Sequence, residues 1–430
     1  MTNALKIGVA GLGTVGGGVV RLLSANGDTI AERCGLPIQV AAVSARDRQK
    51  DRGFDVSRLR WFDDPVAMAA DPEVDLVVEL IGGSEGVAKA VVETALTRGA
   101  SVVTANKALV AHHGTALARL AEDKGVALAY EAAVAGGIPV IKLLREGLAA
   151  NRIDRVHGIL NGTCNYILST MRETGREFGD VLAEAQDLGY AEADPAFDVD
   201  GVDAAHKLAI LTALAFGCQV DFDALHVEGI RSISALDMQY AEELGYRIKL
   251  LGIAERRDGG VVQRVHPCMI ATGTPLAQVD GVFNAVAAQG DFVDRIVAEG
   301  RGAGAGPTAS SVVADIVDLA RGLRLPVFGV PAKRLKQLPT LPMADHIGAY
   351  YLRLMVVDRP GVIASIADVL RDEEISVEAL LQRGRAPNEA VPVVIATHET
   401  VEAKLRRALK QISAQATTLE TPQVIRIESL

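Results

Sequence analysis

Long apolar runs and clustered cysteines are both absent from this chain of 430 residues. Glycine, proline or a charged residue interrupts each apolar stretch before it reaches about eighteen residues, so no transmembrane helix is predicted. The chain enters a predicted strand within five residues of its start and shows no signal-peptide pattern. The four cysteines lie far apart without a C-x-x-C spacing, which disfavours a disulfide framework or a zinc site and predicts reduced thiols in the cytoplasm.

Basic residues are not in excess either. The formal net charge is −10 and no long basic run offsets it, so we expect no binding to nucleic acid. Hydrophobic residues make up 49% and charged residues 23% of the chain, an ordinary balance for a globular protein. The length exceeds what one hydrophobic core usually supports, which predicts two or three domains.

A glycine-rich turn directly follows the first predicted strand, at residues 5–10. The turn and the start of the next helix contain Gly11, Gly13, Thr14, Val15 and Gly16. The first glycine permits a tight turn, the second lets a pyrophosphate approach the backbone, and the third allows close helix–strand packing. Free N–H groups at the helix start face the anion. We therefore interpret these five residues as the phosphate-binding corner of a dinucleotide site.

The pattern of the elements predicts three units. Residues 1–130 alternate short strands with helices, and several strands are apolar on both faces, which predicts a Rossmann-like, doubly wound α/β domain with a parallel sheet. A helix at about 309–323 is expected to return to it. Residues 131–308 predict an α+β domain for catalysis and dimerisation, and prolines mark a linker at 324–348. Residues 349–430 follow the order β-α-β-β-α-β of a ferredoxin-like domain.

Two basic side chains follow strands of the predicted parallel sheet. Arg46 comes after the second strand, where an acidic residue would favour NAD, and its guanidinium suits the 2′-phosphate of NADP. The alternative is a solvated loop, because Asp47 and Asp51 lie among the basic residues. Lys107 follows the fourth strand, so we expect it at the ligand-binding edge of the sheet rather than as an ordinary exposed lysine.

The densest polar group lies in a proline-containing loop that leads into a buried-looking helix, over residues 189–207. Its candidate substrate-binding residues are Tyr190, Glu192, Asp198 and Asp203. Asp203 and Lys207 are four positions apart and share one helical face. A surface ion pair is the simpler interpretation, but the residues after Lys207 are apolar almost all round. A lysine on such a helix must be paired, so we expect catalysis or substrate binding there.

Two further loops have candidate polar groups. The loop that begins at Glu131 offers a carboxylate and several carbonyl oxygens, which suit a hard cation but equally describe a plain turn that caps a helix. Residues 161–166 form a polar loop before a helix and could line the same cleft. Cys164 has no evident base nearby, so we do not predict it to be a nucleophile, and His206 is interpreted as structural.

Taken together, these motifs resemble the homoserine dehydrogenase family, in the long bacterial form with a C-terminal ACT domain. The resemblance covers essentially the whole chain and is carried by residues 11–16, 104–107, 131–139, 161–166 and, above all, 189–207. It implies NAD(P)-dependent interconversion of L-aspartate 4-semialdehyde and L-homoserine, in threonine, methionine and isoleucine biosynthesis. NADP is the favoured cofactor on the evidence of Arg46, with NAD as the alternative.

The resemblance also implies roles for single residues. Lys207 looks like the acid/base group, with Lys107 near the nicotinamide and Glu192 and Asp203 on the substrate. Gly189 and Gly304 would touch the cofactor. A sodium ion or a similar monovalent cation would be held by Glu131, Val134, Gly136 and Ile138. Family members are dimers or tetramers, so we expect a homodimer or homotetramer.

The C-terminal unit resembles an ACT domain, with residues 358–362 as its signature turn. Such a domain implies an amino-acid effector, for which L-threonine is the natural candidate, and the alternative is a dimerisation module without a ligand. Two other functions are weighed for the whole chain. One is another ACT-bearing hydroxy-acid dehydrogenase, and the other is a sensor of NADP and amino acids without catalytic activity.

Overall fold

The computed structural model describes residues 4–383 and 386–430. Its first sheet has the strands β1 Leu5–Ala10, β2 Ile38–Ser44, β3 Arg60–Phe62, β4 Leu76–Glu79, β5 Ser101–Thr104 and β6 Leu128–Ala129. They are all parallel, in the order β3-β2-β1-β4-β5-β6. Strands β4 and β5 are buried throughout, because helices cover both faces of the sheet. The predicted doubly wound sheet is confirmed.

Helices connect these strands. They are α1 Thr14–Ala25, α2 Gly27–Cys34, α3 Pro65–Ala70, α4 Val87–Arg98 and α5 Lys107–Asp123. Gly99, whose φ of 89° is left-handed, caps the C-terminus of α4. Asn106 caps the N-terminus of α5, and its side chain accepts a hydrogen bond from the N–H of Leu109 at 3.0 Å. Strand β3 and helices α2 and α3 were not predicted from the sequence, since they are too short to show a clear hydrophobic period.

The middle part combines further helices with a second sheet. Its helices are α6 Val140–Lys142, α7 Gly162–Thr174, α8 Phe178–Asp187, α9 Ala196–Val199, α10 Val202–Phe216 and α11 Ala235–Glu243. Its strands are β7 Ile153–Ile159, β8 His226–Val227, β9 Tyr246–Arg257, β10 Gly260–Ala271, β11 Phe283–Gly290 and β12 Asp294–Arg301. Helix α10 packs on β7, β9 and β10 and also contacts α5, so its apolar sequence lies between the second sheet and a helix of the first domain.

The helix predicted near 309–323 is α12, which spans Ala305–Ala320 and crosses α1 closely. A Cβ on Gly18 would lie 2.6 Å from the carbonyl oxygen of Ala305, so the contact requires glycine. The helix starts earlier than predicted because Pro307 lies in its first turn, where a missing N–H costs nothing. None of the described helices is both long and apolar enough to cross a membrane.

The C-terminal part has the predicted order of elements. They are β13 Ile347–Val357, α13 Val362–Asp372, β14 Val377–Gln382, β15 Ala390–Thr397, the short β16 Thr400–Val401, α14 Glu402–Ser413 and β17 Gln423–Glu428. Its sheet is not separate from the middle part. Strand β17 pairs in parallel with β10, which makes one 11-stranded sheet. Nine of its strands follow the order β12-β11-β7-β9-β10-β17-β13-β15-β14, while β8 pairs with β10 and β16 with β13 beside this path. The segment 324–348 is also packed, since Phe328 and Ala332 are buried.

Candidate active site

The glycine corner is formed by backbone contacts that exclude larger residues. Gly11 has a φ of 101°, and a Cβ there would lie 2.5 Å from the carbonyl oxygen of Leu80. A Cβ on Gly16 would lie 2.0 Å from the carbonyl oxygen of Gly11. Gly13 differs, because beyond its own chain neighbours no described atom lies within 4 Å of the same position. Gly11 and Gly16 therefore allow close backbone packing, whereas Gly13 leaves open space in front of the N-terminus of α1.

A cavity of about 640 Å³ extends from this corner along the carboxyl ends of the strands. The polar residues that line it include Arg46, Asp47, Lys50, Arg52 and Asp63. Arg46 is exposed at the opening, and the Arg52 Nε atom donates to the carbonyl oxygen of Leu12 at 3.3 Å. An open glycine corner, a helix N-terminus and three cationic side chains fit a nicotinamide dinucleotide.

Lys207 lies on α10 among buried neighbours. Its side chain is 9% exposed, and its Nζ atom donates to Asp203 Oδ2 and to the carbonyl oxygen of Leu160, both at 2.7 Å. Burial lowers the pKa of Lys207, and the Asp203 carboxylate opposes that shift. The predicted pair is therefore a buried one rather than a surface pair.

Lys107 reaches the same carboxylate from the other domain. It forms an ion pair with Asp203 Oδ1, and its side chain is 33% exposed, so it lies on the open side of the pair. Its Nζ atom also lies 5.3 Å from the centre of the Phe197 ring. Burial alone would raise the pKa of Asp203, but the two lysines hold it well below its usual range. The structure thus joins two predicted residues that are 96 positions apart along the chain.

Asn161 ties a second carboxylate to this group. Its Nδ2 atom donates to Asp198 Oδ1 at 2.7 Å and to Asp203 Oδ2 at 2.8 Å. Burial raises the pKa of Asp198. The Cys164 thiol donates to the carbonyl oxygen of Asp198 at 3.2 Å, and burial raises the pKa of this thiol well above its ordinary value. Cys164 is therefore a buried structural thiol and not a nucleophile.

Lys107 and Lys207, joined through Asp203, form the lysine pair. Three predicted residues lie on the exposed loop that precedes α9 and are not part of this pair. Gly189 has a left-handed φ of 74°, and Tyr190 is 44% exposed with its ring 5.0 Å from that of Tyr166. Glu192 is exposed, and its carboxylate makes no hydrogen bond within the described residues. Gly304 lies elsewhere, at the start of α12 beside the glycine corner, with a φ of 118°.

The predicted cation-binding residues lie in the loop after β6. The Glu131 carboxylate accepts the N–H groups of Ile141 and Lys142 at 2.8 and 2.9 Å, so it caps a helix start. Burial, followed by the charge of Asp315, raises the pKa of Glu131 to about 7. Within the described residues, the carbonyl oxygens of Val134 and Gly136 accept no hydrogen bond, whereas that of Ile138 accepts the N–H of Val140.

One buried carboxylate at the cleft, that of Glu79, was not predicted from the sequence. Glu79 ends β4, is fully buried, and accepts hydrogen bonds from the Thr104 hydroxyl at 2.6 Å and from the N–H of Ile81 at 2.7 Å. Burial raises its pKa. It fixes the loop that leaves the sheet next to Lys107. The available signal was an acidic residue at the end of an otherwise apolar strand.

Comparisons with known proteins agree along the whole chain. Residues 11–131 match the NAD-binding domain of homoserine dehydrogenase, residues 139–317 match homoserine dehydrogenase, and residues 350–414 match an ACT domain. The homoserine dehydrogenase of Neisseria gonorrhoeae is 46% identical over 432 residues, and that of Pseudomonas aeruginosa is 47% identical over 435. Each alignment covers 99% of both chains.

Solved structures give the same assignment. The crystal structure of a homoserine dehydrogenase from Thiobacillus denitrificans matches with a TM-score of 0.94 and 46% identity, covering 99% of this chain and 98% of that one. A homoserine dehydrogenase from S. aureus matches with a TM-score of 0.78 and 30% identity over the full length of both chains. The chain therefore belongs to the homoserine dehydrogenase family and is a nicotinamide-dependent oxidoreductase that acts on the CH–OH group of homoserine.

Proposed function

We propose that Lys207 is the acid/base residue for the interconversion of L-homoserine and L-aspartate 4-semialdehyde. One observation carries this assignment: Lys207 is a buried ammonium whose partner carboxylate also meets Lys107 from the cofactor-binding domain. The bound nicotinamide supplies or accepts the hydride. As the aldehyde is reduced, the Lys207 ammonium stabilises the charge that forms on its oxygen and donates a proton there. In the oxidation direction it takes the hydroxyl proton back.

Asp203 acts on Lys207 in two ways. It holds the ammonium in place through the 2.7 Å contact, and it keeps it charged against the effect of burial. We propose that Asp203 and Asp198 bind substrate groups at this point, since both belong to the hydrogen-bonded group around Asn161. Tyr190 and Glu192 would complete the substrate site from the adjoining exposed loop.

The test is a Lys207→Met variant. Turnover should fall by about 10²–10⁴-fold, while the dissociation constant for NADPH, measured by fluorescence, stays close to that of the wild type. Lys249→Met is the matched control, because Lys249 is also buried in an ion pair, with Asp280, but on β9. It should lower thermal stability and leave turnover of the folded enzyme largely intact. Near-wild-type turnover in Lys207→Met contradicts the assignment.

The cofactor-contacting residues are proposals of the same kind. Gly11, Gly13, Thr14, Val15 and Gly16 would hold the pyrophosphate, and Gly304 lies beside them across the α1–α12 contact. Gly189 is proposed to contact the cofactor from the loop beside the lysine pair, near Lys107. We propose NADP as the preferred cofactor, because Arg46, Lys50 and Arg52 line the cavity beyond β2.

A monovalent cation, such as sodium, is proposed for the loop after β6. Within the described residues the carbonyl oxygens of Val134 and Gly136 accept no hydrogen bond, which suits a hard cation, and Ile138 and Glu131 would add oxygens beside them. Because the Glu131 carboxylate caps a helix, its charge would act mainly through space. Thermal melting in sodium chloride against choline chloride tests this proposal, and equal melting temperatures contradict it.

The ACT domain is proposed to bind an amino-acid effector, with L-threonine as the first candidate. A cavity of about 400 Å³ lies at its signature turn, lined by residues 356–363 together with Gln382, Pro387 and Asn388. An Asn388→Ala variant should weaken inhibition by threonine without changing basal turnover. Unchanged inhibition, or none in the wild type, would favour a dimerisation module without a ligand.

We also propose a homodimer or homotetramer formed through the middle domain. Strand β12 is an edge strand, and the turn before it carries Phe292 with 90% of its surface exposed. Light scattering after gel filtration tests this, and a monomeric mass contradicts it. A cytoplasmic location is supported by the four buried cysteines, which form no disulfide within the described residues.

A further inference from the structure

A second polar cavity lies where the ACT sheet joins the catalytic sheet. This seam cavity has a volume of about 330 Å³, and its lining comes from both parts of the chain. Arg155, Glu255 and Arg264 come from the middle domain, and His346, Glu399 and Glu428 come from the C-terminal part. It is separate from the cavity at the ACT signature turn and from the lysine pair, because it shares no lining residue with either.

The inner wall of the seam cavity carries more positive than negative charge. Arg264 donates to both oxygens of Glu428, at 2.8 and 3.0 Å, and Arg155 donates to the same carboxylate at 3.1 Å. Two guanidinium groups therefore share one carboxylate. Arg264 is 1% exposed and Arg155 15%. The charge left over is buried, which favours the entry of an anion.

Several buried nitrogen atoms in this wall make no hydrogen bond within the described part of the chain. Within the described residues, the Arg264 Nη1, Arg155 Nε and His346 Nδ1 atoms make no hydrogen bond. His346 is 6% exposed, and its ring folds over Gly348, where a Cβ would lie 2.7 Å from His346 Nε2. Buried polar atoms without partners are rare, and the two guanidinium nitrogens can only donate, so they fit a ligand that accepts hydrogen bonds.

The outer wall has the opposite charge. Glu378 and Glu399 line the cavity and are exposed, and Glu255 is half-buried beside Arg257, to which it is paired at 3.0 Å. A ligand with a carboxylate at the inner end and an ammonium at the outer end would match both walls. We propose that the seam cavity is a binding site for a free α-amino acid, with its carboxylate on Arg264 and Arg155.

A metal ion is the other ligand that these residues suggest. Donor atoms of His266, Cys268 and Glu428 lie within 4.8 Å of one another beside the cavity. However, Arg264 donates to His266 Nε2 at 3.1 Å as well as to Glu428, so its guanidinium uses the same donor atoms. A second guanidinium, that of Arg155, adds further repulsion, and the charge of the site therefore favours an anionic group.

The experiment measures binding of L-threonine, L-alanine, acetate and sulfate to the full-length enzyme by calorimetry, without turnover. At least one amino acid should bind more tightly than acetate and sulfate. Arg155→Gln should weaken that binding by at least about tenfold, because a charge-assisted hydrogen bond is lost. His346→Gln should weaken the same binding, and it provides the test if Arg155→Gln fails to fold. Arg152→Gln is the matched control, since Arg152 is exposed and pairs with Asp154.

Three outcomes overturn the proposal. One is the absence of saturable binding of either amino acid by the wild type. Another is binding that Arg155→Gln and His346→Gln leave unchanged or that Asn388→Ala abolishes, since the ligand then lies elsewhere. The third is equal binding of acetate or sulfate, which would make the cavity an anion site only. These results are independent of Lys207, because no step of the reaction is measured.

Discussion

At the scale of single residues, one carboxylate organises the candidate active site. Asp203 touches both Lys207 and Lys107, and Asn161 holds it from a third direction. Two ammonium groups share this one buried carboxylate, and the excess positive charge lies nearer the solvent because the Lys107 side chain is 33% exposed. The arrangement also leaves the Lys107 side of the pair open to a ligand, while the Lys207 side stays buried.

The role of Asp203 predicts a change in pH dependence. In Asp203→Asn, the carboxylate that most strongly opposes the burial of Lys207 is lost and only the weaker effect of Asp198 remains, so the pKa of Lys207 falls further. Reduction of the semialdehyde needs the ammonium form, and its decline at high pH should therefore begin at a lower pH than in the wild type. The measurement is kcat/KM against pH. Asp200→Asn, which removes only an exposed partner of Arg231, should leave the profile in place.

Cofactor preference is a second property of single residues. Arg46→Ala should lower the ratio of kcat/KM for NADPH to that for NADH by about tenfold or more, because a charge-assisted contact with the 2′-phosphate is lost. Arg48→Ala is the control, since Arg48 lies near the Trp61 ring, 5.8 Å from its centre, and does not line the cavity. The same ratio in Arg46→Ala and the wild type would remove Arg46 from the cofactor site.

At the scale of elements, the junction of β1 and α1 separates packing from ligand binding. Gly16 is held against the backbone of Gly11, whereas Gly13 faces open space. The same sequence motif thus contains one glycine required for packing and another that leaves room for a ligand. The cleft around it is completed by α12 and by the ends of β4 and β5, where Glu79 and Lys107 lie.

The different roles of Gly16 and Gly13 predict that alanine lowers stability at one position and weakens cofactor binding at the other. Gly16→Ala should lower the free energy of unfolding by about 1–3 kcal/mol or more, because a Cβ at 2.0 Å from a carbonyl oxygen forces the backbone apart. Gly13→Ala should keep the wild-type stability and raise the KM for NADPH. Urea unfolding and steady-state kinetics measure the two effects. Equal stability losses in both variants would contradict the assignment of their roles.

At the scale of the whole molecule, the ACT domain shares a continuous sheet with the catalytic part of the chain and is not connected to it by a linker alone. Strand β17 adds to β10, and the buried pairs Arg264–Glu428 and Asp237–Arg353 cross the same boundary. Removing residues 347–430 would leave Arg264 and Asp237 without these partners. We therefore expect a truncated chain to unfold or aggregate, so point variants test regulation better than truncation does.

Acid should weaken this boundary. Burial alone would raise the pKa of Glu428, but Arg264 and its neighbours lower it from the ordinary 4.5 to about 2. The stability that Glu428 contributes is thus complete above pH 4.5 and is lost as the pH falls toward 2. Glu428→Gln should be less stable than the wild type by about 3–5 kcal/mol at pH 7, since Arg264 loses its charged partner.

The difference in the free energy of unfolding between the wild type and Glu428→Gln should narrow as the pH is lowered from 4.5 to 2, because only the wild type titrates at this position. Urea unfolding followed by circular dichroism at several pH values measures it. A difference that stays constant on acidification would show that the Glu428 charge contributes nothing. Glu373→Gln, which removes an ion pair within the ACT domain alone, is the control.

Local rules in the sequence determined much of this protein. The glycine corner, the left-handed Gly99, the i, i+4 spacing of Asp203 and Lys207 and the order of the ACT elements all depend on neighbours within a few residues. Only the tertiary structure decided which distant groups meet. Lys107 reaches Asp203 because β5 ends opposite α10, and β17 pairs with β10 because two sheet edges lie side by side. Periodicity carries no information on such contacts, since they depend on how whole elements pack.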